Sequence, residues 1–263
     1  MTLPLISIIT VVYNAKDDLE LTITNSVINQ NYKNIEYIVV DGGSTDGTIE
    51  IINKHKNYIK EWVSEKDSGV YDAMNKGIDL AAGDYITFLN AGDYYIDENV
   101  LMNLFNDIDK NNIDVVYGDI NVIDDKRNEN RHQKAWEFTL DNLIHCGTGV
   151  VCHQAFFVKR KIAPKFNTKY KYKAELNWYF DIVEENNHLR FIHKSLAVVN
   201  YHLWGFGYKN FWKNQAEWFK LIIKRYGFRM FIKHKYPAKI WQRVLYRYPK
   251  FRTIIKKINK VFA

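Results

Sequence analysis

Short apolar runs alternate with amphipathic segments along the first half of the chain. Ile6 to Val12 reads ISIITVV, rich in β-branched residues and closed by Tyr13-Asn14. Such a run predicts a parallel strand buried on both faces. Asp17 and Asp18 then precede a helical spacing, Leu19, Ile23, Val27 and Ile28, that ends near Gln30. A second run, Ile35 to Val40, stops at Asp41-Gly42-Gly43-Ser44-Thr45-Asp46-Gly47-Thr48, and a helix over Ile49 to His55 follows. The unit returns as a strand near Ile59 to Val63 with a helix over Val70 to Ala82, and as a strand, Tyr85 to Leu89, ending at Asn90-Ala91-Gly92-Asp93. This alternation predicts an α/β fold, a mostly parallel sheet with helices on both faces. In such sheets ligands lie outside the carboxyl ends of the strands, where these polar loops fall.

Further on, the pattern predicts a helix near Glu98 to Lys110, a strand over Val115 to Val122 and a solvated loop through the charged stretch Asp124 to Lys134. Strand-like segments recur at Gly149 to Cys152 and Leu196 to Tyr201, with a helix over Leu176 to Glu185 between them. The pattern changes near Trp204-Gly205-Phe206-Gly207, which divides the chain into residues 1–204 and 205–263. Beyond it, Phe211, Trp218, Phe219, Ile222, Ile223 and Tyr226 fall on one helical face, with Lys213, Lys220, Lys224 and Arg225 on others. The same split returns past Pro237 with Ile240, Trp241, Val244, Leu245 and Tyr248, and again after Pro249 with Phe251, Ile254, Ile255 and Ile258.

Charge sharpens that division. The net charge of +7 conceals 16 Lys and Arg against one acid, Glu217, from Gly205 to Ala263, while the rest of the chain is net −8. A basic amphipathic helix rich in Trp and Tyr suits an anionic membrane surface. Nucleic acid is disfavoured, because no binding fold for it is present and the aromatics follow helical spacing. No run reaches the roughly 18 apolar residues of a membrane span. The N-terminal run has no basic flank or small-residue cleavage site, so it reads as a strand and not a signal peptide. Cys146 and Cys152 form neither a zinc pattern nor a disulfide framework and are expected to be buried free thiols in a reducing cytosol.

Three motifs then agree in order and spacing: Thr10-Val11-Val12-Tyr13-Asn14, Val39 to Thr48, and Ala82-Gly83-Asp84-Tyr85-Ile86 running into Asn90-Ala91-Gly92-Asp93. Together they resemble glycosyltransferase family 2, of the GT-A fold. The insert Ser64 to Gly77 resembles its bacterial capsule, O-antigen and exopolysaccharide branch. The resemblance covers roughly Leu5 to Trp204, thinning after Gly118.

It implies an inverting transferase, hexosyl or N-acetylhexosaminyl, that takes a sugar from a nucleoside-diphosphate donor, UDP being favoured. Asp41 stands where the family binds uracil, or else holds the Gly42-Gly43 turn. Tyr13 would flank the base. Asp67 either reaches the ribose or diphosphate or caps the following helix. The usual Asp-x-Asp is reduced here, with Asn90 and Gly92 where acids would align, so Asp93 is left to bind Mg²⁺ or Mn²⁺ with Asn90 as a weaker oxygen. Inversion needs a base opposite the leaving group, and the resemblance places it at Glu175, with Asn177 where a second acid often occurs. Asp181 is the runner-up, expected to face solvent. His153-Gln154 and His202 match polar positions lining acceptor sites, and the loop at His202 is placed to close over the diphosphate. The implied acceptor is a polyprenyl-diphosphate-linked glycan, with the enzyme peripheral on the cytoplasmic face of the cell membrane. The missing acids leave a second possibility, a binding scaffold without turnover.

Overall fold

The computed structural model describes residues 3–186, 188–203 and 210–233. The chain forms two compact units, Met1–Lys209 and Asn210–Ala263. The pattern change at residues 204–207 and the amphipathic stretches past Pro237 lie outside the described residues.

The first unit is built on β1 (Ile6–Val12), β2 (Ile35–Asp41), β3 (Glu61–Ser64) and β4 (Tyr85–Phe88), which lie in the order β3-β2-β1-β4 and are all parallel. Between them run α1 (Lys16–Ile23), α2 (Thr48–Lys54) and α3 (Val70–Leu80). α1 passes directly into a π-helical turn, Thr24–Ile28. Ile6, Ile8, Ile38, Val39 and Val40 are fully buried, so β-branched residues line a sheet covered on both faces. Val12 pairs with Asp41 and Asp41 with Ser64, which sets the ends of three strands level and brings Tyr13, Gly42 and Glu65 out along one edge.

The second half departs from the expected parallel pattern. Its elements are β5 (Tyr94–Tyr95), α4 (Val100–Phe105), β6 (Val115–Asp124), β7 (Glu129–Gln133), α5 (Leu140–Cys146), β8 (Phe156–Lys159), α6 (Ala174–Glu185) and β9 (Phe191–His202). The sheet continues as β4-β8-β6-β9-β5 with β7 on β6. Here only β6 and β9 are parallel. The stretch expected to be a solvated loop contributes β7, whose Glu129 to His132 are exposed. Gly149 to Cys152, expected to be a strand, follows a short 3-10 turn at Gly147–Gly149, and the strand falls instead at Phe156–Lys159. Both cysteines are free, as expected, but half-buried rather than buried.

One buried acid pins this half together. Asp119, 1% exposed at an irregularity in β6, accepts Ala135 N–H at 2.9 Å, His132 Nε2–H at 2.9 Å and His193 Nε2–H at 2.7 Å. Burial alone would raise its carboxyl, but these donors outweigh it and hold the group below the usual carboxylate range. Its contribution is therefore present above the unfolded pKa, near about 4, and is lost as pH falls through the lower folded value. Wild-type melting temperature is expected to drop more steeply below about pH 4 than that of Asp119→Asn, which should lose roughly 2 kcal/mol at neutral pH. Parallel acid limbs in the two melting profiles would contradict this.

In the second unit, α7 (Phe211–Lys233) is interrupted at Gly227, whose φ of +80° is not helical. Trp218 and Ile222 of the expected apolar face are buried, joined by Gln215 and Leu221. Phe219, expected on that face, is 38% exposed at its edge. No described helix is long and apolar enough to cross a membrane.

Candidate active site

Two groups of side chains meet the carboxyl edge of the parallel strands. The first surrounds Gly42. Tyr13 leaves the end of β1 with 64% of its surface exposed. A Cβ placed on Gly42 would come within 2.7 Å of Asp67 Oδ2 and 3.3 Å of Tyr13 Cδ2, so the three converge on one spot. Asp67 Oδ1 accepts Gly69 N–H at 2.9 Å, just ahead of α3. Asp41 is buried and holds the loop that follows it. Its Oδ2 accepts Gly43 N–H at 3.1 Å, Ser44 N–H at 3.0 Å and the Ser64 hydroxyl at 2.6 Å, while the Ser44 hydroxyl donates to Oδ1. Oδ1 thus keeps a lone pair beyond the Ser44 hydroxyl, although Asp41 itself is wholly buried. The loops after β1 and β2 are stitched together: Asn14 N–H donates to Ser44 Oγ at 2.7 Å, and Thr45 N–H to Asn14 Oδ1 at 2.8 Å.

The second group is a continuous network running from the loop after β4 to α6. Gln154 bridges that loop, its Oε1 accepting Asn90 N–H at 2.8 Å and its Nε2 donating to Asp93 Oδ2 at 2.6 Å. His202 N–H donates to Asp93 Oδ1 at 2.8 Å. The Asn90 amide nitrogen lies 3.2 Å from His153 Nε2, and His153 Nδ1 lies 3.0 Å from Glu175 Oε1. Nδ1–H donates to the Glu175 carboxylate whichever protonation state the imidazole takes. The Tyr179 hydroxyl, one turn along α6, also donates to Glu175 Oε1 at 3.4 Å. Asn90, Asp93, Glu175 and His202 are therefore linked through His153 and Gln154.

The charges follow from burial and pairing. Burial would raise the Glu175 carboxyl, but the charge of His153 outweighs it and the group is lowered. Burial would likewise lower His153, and the charge of Glu175 reverses this. Asp93 is raised by its burial, against the donors His202 N–H and Gln154. Asp181 is half-buried, and the Asn177 amide donates to its Oδ2 at 2.6 Å. The His202 ring pairs with Asp125, its Nδ1 3.0 Å from Oδ2.

Among the described residues, no group of three or more His, Cys, Asp and Glu is arranged to hold a metal ion. Asp93 keeps a lone pair on each oxygen beyond the two N–H donors that orient it. That donor set fits a hard cation drawing most of its ligands from a diphosphate and water.

His153 and Gln154, expected to line an acceptor site, link the loop after β4 to Glu175, and Tyr179 and Thr22, for which the sequence carries no such expectation, join the same network. Thr22 donates to the Asp93 carbonyl at 2.9 Å and accepts Gly92 N–H at 2.9 Å. The signal for the pair was local: a His-Gln dipeptide just before the apolar run Ala155 to Val158.

The glycosyl transferase family 2 model matches residues 7–166. A PGL/p-HBAD biosynthesis glycosyltransferase of Mycobacterium tuberculosis is 33% identical over 211 residues, spanning 76% of this chain and 78% of that protein. The chain belongs to glycosyltransferase family 2. Solved structures show the same GT-A fold in this family 2 chain. Staphylococcus aureus TarS 1-349 in complex with UDP-GlcNAc superposes with a TM-score of 0.65 at 16% identity, over 83% of this chain and 66% of that one. The mannosyltransferase PcManGT of Pyrobaculum calidifontis, in complex with GDP-Man and Mn²⁺, gives 0.62 at 17% identity, over 85% of this chain and 65% of that one. The chain thus spans about two thirds of the length of these solved relatives.

Proposed function

We propose that this family 2 chain is an inverting, metal-dependent glycosyltransferase, acting as a hexosyl- or N-acetylhexosaminyltransferase. It moves a sugar from a nucleoside-diphosphate donor, UDP-linked, to a polyprenyl-diphosphate-linked glycan in bacterial surface polysaccharide synthesis. The observation that carries the reading is the network joining Asp93 to Glu175 at the carboxyl edge of the sheet. The relatives' complexes with UDP-GlcNAc and GDP-Man support a donor of this class.

In this reading Tyr13 flanks the base, Asp41 offers Oδ1 to a base N–H, and Asp67 faces the ribose. Asp93 and the Asn90 amide oxygen would hold Mg²⁺ or Mn²⁺, which supplies positive charge against the departing diphosphate. Glu175 takes the proton of the attacking hydroxyl. His153 and Tyr179 fix its carboxylate, and an ionised group is ready to accept at neutral pH. His202 fastens the end of β9 to Asp93, beside the diphosphate. The domain of residues 1–204 does this chemistry, and the basic segment 205–263 holds the protein to the cytoplasmic face of the membrane, where a lipid-linked acceptor is found.

The test is a nucleotide-release assay over UDP-, GDP- and dTDP-sugars with a lipid extract, with and without Mn²⁺. Release from one donor is expected, lost with EDTA and in Asp93→Ala. Silence across the panel with UDP still binding in calorimetry would favour the scaffold without turnover, the reading that the reduced acid set around Asn90 and Gly92 supports.

A further inference from the structure

The buried side of α7 is set by Gln215, Trp218, Leu221 and Ile222. Its other side is not a uniformly polar surface. Trp212 is 57% exposed and Phe219 38% exposed, and their separation of seven positions brings both rings onto one line along the axis, within about 20°. Lys213, Lys220 and Lys224 are exposed as well, and they form a second line about 100° round from the aromatics. From Asn210 to Lys233 there are six basic residues and one acidic one. Leaving Trp212 57% exposed on a helix that already has a buried face carries a cost that solubility does not explain. A ridge of aromatic rings flanked by a row of lysines has the layout of a helix lying in a lipid interface, where rings sit at headgroup depth and lysine stems reach outward to phosphate.

We propose that this exposed face of α7 binds an anionic lipid bilayer, Trp212 and Phe219 entering the interface while Lys213, Lys220 and Lys224 meet the headgroups. The proposal rests on the membrane placement given above and not on the sugar chemistry. It assigns the contact to the side of the helix that carries the lysine row, opposite Trp218 and Ile222, with the two rings along its edge. Charge complementarity selects the occupant, since the lysine row matches an anionic surface and an uncharged one would leave it without function.

The full chain is to be sedimented with phosphatidylcholine vesicles carrying about one part in three phosphatidylglycerol, beside pure phosphatidylcholine. Binding to the anionic vesicles is expected, weakening with salt. It should fall at least tenfold in a Lys213→Gln, Lys220→Gln, Lys224→Gln variant and at least tenfold in Trp212→Ser, Phe219→Ser, by roughly unit increments per charge and per ring. All five positions are exposed, so melting temperature and UDP binding should not move in either variant; that check separates a lost surface from a lost fold. Equal binding to both vesicle types, either variant binding like wild type, or tighter binding to single-stranded DNA than to the vesicles would overturn the proposal. Nucleotide release measured in parallel keeps the two readings apart: a silent enzyme that binds vesicles sinks only the chemistry, and an active one that ignores them sinks only the surface.

Discussion

Glu175→Gln is expected to lower nucleotide release by a factor of roughly 10²–10⁴, the span of a lost general base, with UDP affinity in calorimetry nearly unchanged. The substitution preserves shape. A Gln oxygen at the position of Oε1 still accepts from His153 Nδ1 and the Tyr179 hydroxyl, so the local hydrogen bonds survive. What disappears is the charge and the ability to take a proton. Glu175 keeps 18% of its side-chain surface exposed, enough to receive one hydroxyl and too little to be an ordinary surface acid. Were Glu175 merely a structural partner of His153, the loss would appear as a lower melting temperature with release within a few-fold of wild type. That pattern would remove Glu175 from the mechanism.

Gly77→Val is expected to cost on the order of 3 kcal/mol, the upper range for overpacking a core, and to lower the melting temperature by about 6–12 °C. Gly77 lies in the interior of α3, where glycine is worse than alanine by about 1 kcal/mol. Its retention has a steric cause. A Cβ there would stand 2.3 Å from Ile9 Cγ2, and Ile9 is 1% exposed in β1, next to both β2 and β4. A β-branched side chain in the middle of a sheet has no rotamer to retreat into. Since Tyr13 follows β1 directly, the same shift should also loosen UDP binding. A variant that melts like wild type would mean that α3 rides freely over the sheet.

The parallel half of the sheet was readable because Ile6 to Val12 and Ile35 to Val40 are apolar runs stopped by turn residues, and burial on both faces leaves that trace. β7 was not readable. Glu129 to His132 are exposed and joined to β6 chiefly through main-chain pairing, which imposes no apolar alternation. The change to a mixed sheet depends on β8 entering antiparallel between β4 and β6, and strand order has no local signature. At the site, Asp41, Asp93 and Glu175 were singled out by the family resemblance, and each falls at or beside the end or start of an element. The contact of His153 with Glu175 joins residues 22 positions apart, and nothing in either neighbourhood announces the other. The helical tail shows the limit of periodicity: it gave a helix through Phe211 to Tyr226, yet Trp218 and Phe219 fell on opposite sides of the burial boundary.

The loop from Asn90 to Asp93 is gripped from several directions. Thr22 holds Gly92 and the Asp93 carbonyl, the Asp18 carbonyl accepts Gly92 N–H at 3.1 Å, and Gln154 takes both the Asn90 N–H and the Asp93 carboxylate. A loop with fewer acids would ordinarily be a weaker seat for a charged ligand. These hydrogen bonds leave the loop less freedom to lose when a ligand arrives. In the proposed reading, rigidity does here what a second carboxylate does elsewhere. In the same reading, substitutions at Thr22 would act on the donor site through the loop that it holds.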